Sequence, residues 1–191
     1  MKTNDEILKI KATLLYILES FPDGVDFIKL FKILYFAQQN HLVKYGRPVV
    51  RDTFCALDLG PIPSFTYKAF QCALANKPLD CEIKEFNKDF IIHKVGRINY
   101  VKGITKADLE ELSVSDIYAL DNSIEENKDI HSLRLSTKSH DNAWREAYER
   151  AIDDPEKDRM TIIDIARAGN ASEKMINYIR ESEMFTNYFK A

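Results

Sequence analysis

Side chains able to do chemistry are thinly spread along this chain of 191 residues. The four histidines, His41, His93, His131 and His140, are scattered, with no H-E-x-x-H and no paired Cys/His spacing to hold a metal. Cys55, Cys72 and Cys81 are odd in number and form no C-x-x-C, which argues against a disulfide framework. Cys55 lies in an apolar stretch, where a thiol behaves as a small hydrophobe rather than a nucleophile. There is no G-x-S-x-G elbow. The glycines stand singly, as turn or helix-end residues rather than a phosphate cradle. No acid–base pair stands out, so the expectation is no enzyme, no metal and no cofactor.

The polar groups that do invite attention lie between Leu30 and Tyr67, where Tyr35, His41, Tyr45, Arg47 and Asp58 sit in otherwise apolar surroundings. Asp58, among Phe54, Ala56, Leu57 and Leu59, needs a partner such as Arg47 or a backbone N–H to offset its desolvation. That favours a structural cap or ion pair at the following Gly60-Pro61 corner over a catalytic carboxylate. A second group is Ser136-x-x-x-His140-x-x-x-Trp144. Trp144 is either a core anchor whose indole N–H finds a carbonyl, with His140 bridging two helices, or part of an exposed shelf for a partner. The residues favour the core.

Mostly helical elements position these groups. Thr3 to Glu6 has capping-box spacing and starts a helix through Ile7, Ile10, Leu14, Ile17 and Phe21. After a Pro22-Asp23-Gly24 turn, Asp26 caps a second helix that is apolar around most of its circumference and therefore central. Gly46 fits its C-terminal exit, with Pro48 beyond. Val49 to Leu59 reads as extended, Gly60 to Pro63 as a turn, and a third helix follows that stops before Pro78.

Phe90–Lys94 and Arg97–Val101 flank Val95-Gly96 as a hairpin, expected to form a small sheet with the strand before Gly60. Ser113 and Asp116 suggest another capping box. Further helices are expected around 130–138, after Asp141, from Thr161 to Gly169 and from Ser172 to Phe189, with a charged loop from Asp153 to Asp158. The fold class expected is mainly α with a small antiparallel β element: a single compact helical domain over 1–150 with a β insertion at about 83–104. Helices in 151–191 are expected to pack on the same domain.

A hydrophobic content of 45% with 30% charged residues belongs to a globular chain, and the net charge of -3 gives no overall attraction to nucleic acid or anionic lipid. No basic, apolar leader and no membrane span is visible, so the cytoplasm is expected. A DNA-reading use of the first two helices would need Lys9, Lys11, Lys29, Lys32, Lys44 and Arg47 to converge on one face. The second helix, apolar over a wide arc, fits that role poorly.

Leu30-Phe31-Lys32-Ile33-Leu34-Tyr35-Phe36-Ala37, then His41, then Tyr45-Gly46-Arg47-Pro48, then Ala56 through Gly60-Pro61, and finally His140-x-x-x-Trp144 together resemble the Panacea domain of SocA-like antitoxins and phage-associated proteins. The likeness runs from about Leu14 to Tyr148. Phe31 stands where the family commonly has a polar residue, and Ile62 where valine is usual. Lys32, Gly46, Pro48, Asp58, Gly60, Pro61 and His140 are read as structural parts of this pattern. The resemblance implies a non-catalytic antitoxin that binds and neutralises a toxin protein, with a cytoplasmic protease as a further partner in at least one relative. Tyr35, His41, Tyr45, Arg47 and Trp144 are the expected contact residues. A nucleic-acid-binding regulator is the alternative.

Overall fold

The computed structural model describes residues 2–75 and 81–190. In chain order these form α1 (Asn4–Leu18), β1 (Val25–Asp26), α2 (Phe27–Tyr45), β2 (Phe54–Leu57), β3 (Gly60–Pro63), α3 (Ser64–Leu74), α4 (Cys81–Asn87), β4 (Phe90–Val95) and β5 (Ile98–Gly103). They continue with α5 (Val114–Asn127), α6 (Ser132–Lys138), α7 (Asn142–Asp153), β6 (Arg159–Met160), α8 (Ile162–Ala168) and α9 (Glu173–Lys190). The fold is α+β: nine α-helices among the described residues around two small antiparallel sheets.

Helix starts follow local chemistry. Thr3, Ser113 and Thr161 each accept from the backbone N–H three residues on, and Glu6, Asp116 and Asp164 reach back to close capping boxes. Asp26 and Asp141 cap α2 and α7 through Lys29 N and Trp144 N. Gly46 ends α2 in the left-handed region at φ 67°. The end of α3 at Leu74 is described; Pro78, expected to lie just beyond it, falls outside the described residues.

Helix α2 runs through the middle. Its buried residues, from Phe27 through Leu42, occupy all sides, and α1, α5, α6, α8, β3 and β5 pack around it. One end rests on an aromatic cluster in which Phe27, Phe31, Phe65, Phe70, Phe86 and Phe90 meet with ring centroids 5.2–6.4 Å apart. Buried Gln38 donates to Val50 O at 3.1 Å and accepts from Val49 N and Val50 N, so this stretch is held by a side chain instead of a strand partner.

The sheet pairing differs from expectation. The β4–β5 hairpin turns at Gly96-Arg97 and pairs with β1, giving the order β1-β5-β4. The strand before Gly60 belongs to a separate sheet, β3-β2-β6. Gly60 to Pro63 is not a turn but strand β3: the chain reverses at Asp58-Leu59, and Leu57 pairs with Gly60, whose φ is 93°. One edge of β2 is taken by β3 across the two-residue loop and the other by β6, which leaves no edge for the hairpin. The charged loop after α7 contains a short 3-10 turn and ends in β6, which pairs with Phe54 and Cys55.

Candidate functional site

The β2–β3 reversal is gripped by side chains from three helices. Trp144 Nε1 of α7 donates to Leu57 O at 2.9 Å, and Tyr148 Oη of the same helix donates to Asp58 Oδ1 at 2.9 Å. From α6, Ser136 Oγ donates to Leu59 O at 3.0 Å; from α2, Lys32 Nζ donates to Pro61 O at 2.7 Å. Four donors thus fix four of five successive positions. Gly60 completes the grip, because a Cβ there would lie 2.4 Å from Ser139 Oγ and 2.9 Å from Lys32 Cε. Lys32 is only 1% exposed, with no carboxylate within 4 Å among the described residues. Burial lowers its ammonium pKa to about 7.

With its backbone held from beneath, this turn presents Leu57, Asp58 and Leu59 outward. Beside it lies a cleft of about 510 Å³. Its floor is the start of α2, including Phe27 and Phe31; its opposite wall is the β4–β5 tip, with Arg97, Ile98 and Asn99. The lining is mainly apolar, and exposed Asp58 and Arg97 are charged.

Behind the grip, His140, Trp144 and Tyr148 stack face to face along one side of α7, with centroids 3.8 and 4.9 Å apart. Trp144 is half-buried, and its indole finds a carbonyl as the core reading expects. The pKa of His140 is lowered by burial and then by the charge of Lys32, against the opposing pull of Asp141. Its Nε2 is buried with no hydrogen-bond partner among the described residues. Tyr35 and Gln39 converge on Asp141 Oδ2 at 2.7 and 2.9 Å, tying α2 to the cap of α7.

At its other end, α2 meets a second polar cluster. Asp116, fully buried, accepts from Lys9 Nζ at 2.7 Å, Ser113 Oγ at 2.7 Å and Arg47 Nη1 at 3.3 Å. His41 Nδ1 lies 2.6 Å from Arg47 O, to which it donates, and its Nε2 lies 3.2 Å from Ser115 Oγ and 3.3 Å from Asp116 Oδ1. Burial is the main cause lowering its pKa. For Asp116, burial would raise the carboxyl pKa, but hydrogen bonds from Lys9 and Ser113 outweigh it and hold the group below its ordinary value.

These placements revise the expected contact residues. Tyr35 and His41 are 0% exposed, so an incoming partner does not meet their side chains; both orient internal polar groups. Tyr45 is half-buried against His41, Arg47 keeps its side chain 43% exposed, and Pro48 is half-buried. Arg47 is not the partner of Asp58: it binds Asp116, and Asp58 is exposed. The buried carboxylate near this turn is Asp52, which accepts from Phe65 N, Thr66 N and Thr66 Oγ1 and so caps α3. Asp52, Asp141 and Ser139 were not singled out as site residues. Only Asp141 carries a local signal, as the acidic N-cap of α7, and that signal does not reveal the long-range group converging there; Asp52 lies well before α3 and Ser139 ends α6.

The Cys55 thiol is pushed up to about 12, first by burial and then by Asp158. No cluster of three or more His, Cys, Asp or Glu side chains that could hold a metal occurs among the described residues. Among the same residues no helix is long and apolar enough to cross a membrane.

The family described as "Antitoxin SocA-like, Panacea domain" matches residues 30–145, more than half of the chain and the whole stretch from α2 to the start of α7. No curated protein and no solved structure matches at a significant level.

Proposed function

We propose, from the premise that the chain belongs to the SocA-like antitoxin family through its Panacea domain, that it neutralises a cognate toxin protein by binding it, without catalysis. The observation that supports this best is the held β2–β3 turn. Rigid backbone beneath exposed apolar side chains lowers the entropic cost of association, which is what a binding surface requires. A stable complex would bury roughly 1,600 Å² in total, enough to reach from this turn across half-buried Trp144 and Tyr148. Occlusion of the toxin is the simplest mode. Delivery of the bound toxin to a protease is the stronger form, and the toxin's lifetime in cells with and without this chain separates the two.

The test is co-expression with the product of the neighbouring reading frame. We expect that product to arrest growth alone and growth to resume when this chain is supplied. A neighbour that is harmless, or toxic but not rescued, counts against the reading.

The cations that a DNA-binding role would need are each engaged by another group of the chain. Lys9 and Arg47 bind Asp116, Lys11 binds Asp89, Lys29 donates to Lys128 O, Lys32 donates to Pro61 O, and Lys44 lies 4.1 Å over the Tyr118 ring. A gel shift with the chain's own promoter is therefore expected to show no specific complex. A salt-sensitive one would favour the regulator.

A further inference from the structure

We propose that the cleft between the two hairpin tips seats an apolar segment of the toxin, with a basic side chain on the flank facing Asp58 and an acidic one on the flank facing Arg97. This rests on the antitoxin reading and adds where the partner enters and which way it lies.

Three observations converge. Leu57, Leu59 and Ile98 are 37%, 49% and 49% exposed and all line this one cleft. Isolated exposed apolar side chains are ordinary on any surface, but a group around a shared concavity is the pattern of a recognition site. The exposed charges are split between the walls: Asp58 stands on the β2–β3 turn and Arg97 on the β4–β5 tip, while half-buried Asp26 and buried Lys32, which also line the cleft, are taken up by Lys29 N and Ser132 Oγ and by Pro61 O. Asp58 has Tyr148 Oη on one oxygen, and Arg97 has no carboxylate within 4 Å among the described residues. A segment entering the wrong way round would set like charges together, so the pair selects direction as well as composition. Finally, Asn99 on the Arg97 wall has its Oδ1 buried with no hydrogen-bond donor among the described residues. Lys32 is not the anchor: its ammonium is turned to Pro61 O beneath the turn.

The experiment titrates the purified full chain with the product of the neighbouring reading frame, followed by calorimetry. Leu59→Asp and Ile98→Asp are expected to weaken binding by about a hundredfold, and Asp58→Arg or Arg97→Asp by about tenfold each. Glu125→Lys, outside the cleft, leaves binding unchanged. Thermal unfolding of each variant checks folding. If Asp58→Arg unfolds through loss of its Tyr148 contact, Asp58→Asn removes the charge and keeps an acceptor. If wild type binds while all the cleft variants bind within about twofold of it, the cleft proposal is overturned and the antitoxin reading stands. Tighter binding on both charge reversals overturns the stated direction. If the product neither binds nor is toxic, both readings fall.

Discussion

At the scale of single residues, Asp116 and Lys32 show opposite ways of keeping a charge out of water. Asp116 collects Lys9, Arg47 and Ser113, and its carboxyl pKa falls below the ordinary 3.8. A carboxylate with a lowered folded-state pKa contributes stability that is fully present above about 4 and is lost as pH falls through the folded value. Asp116→Asn is expected to destabilise by about 3 kcal/mol at neutral pH, the low end for breaking a buried pair. Lys9 and Arg47 keep side-chain exposures of 28% and 43% and regain some hydration. In urea melts the variant's deficit should shrink in acid. Lys32 has no such partner, and its pKa drops to about 7. Between about 7 and its ordinary 10.5 the unfolded chain binds more protons than the folded one, so this group makes stability rise with pH across that window. The midpoint of thermal unfolding should therefore climb less steeply from pH 7 to 10 in Lys32→Met than in the wild type. Equal slopes would mean that the ammonium is better solvated than its burial implies.

At the scale of elements, the exit of α2 depends on Gly46 twice over. Its φ of 67° suits glycine, and a Cβ there would meet the Tyr178 ring at 2.4 Å and Met175 Sδ at 2.8 Å. Gly46→Ala is expected to lose roughly 1–2 kcal/mol to backbone conformation and a further ~1–3 kcal/mol to crowding. Tyr178→Ala should restore some of the second part, leaving the Met175 contact and the backbone cost, a non-additivity that a double-mutant cycle measures directly. What could be read in advance divides along the same line of reach. The helix starts at Thr3, Ser113 and Thr161 were legible because their capping bonds span three residues. The sheets were not, since β1 and β6 are two residues each and gain strand character only from partners far along the chain. The apolar run around Asp58 suggested a buried carboxylate, but a turn lifts that side chain outward and leaves burial to Asp52. The meeting of Lys9, Arg47 and Asp116, from α1, the exit of α2 and α5, has no local signature at all.

At the scale of the molecule, residues beyond 150 are woven into the rest. Strand β6 pairs with β2, Ala56 N donates to Asp158 O at 2.9 Å, and α8 packs so closely on α2 that a Cβ on Gly169 would lie 2.7 Å from Gln39 and Val43. We therefore expect the whole chain to unfold in one cooperative step, and a fragment ending at Arg150 to lose that cooperative transition in denaturant. A fragment that melts as sharply as the full chain would separate the C-terminal helices as an accessory. Trp144 is the chain's single tryptophan, and it connects these levels in another way. Sandwiched between an imidazole and a phenol and tethered to the carbonyl of Leu57, it is a built-in fluorophore one bond from the edge of the cleft. Its emission should dim in acid as His140 takes up a proton and becomes a quencher. At constant pH it should change whenever something settles against Leu57, giving an optical signal that needs no added dye.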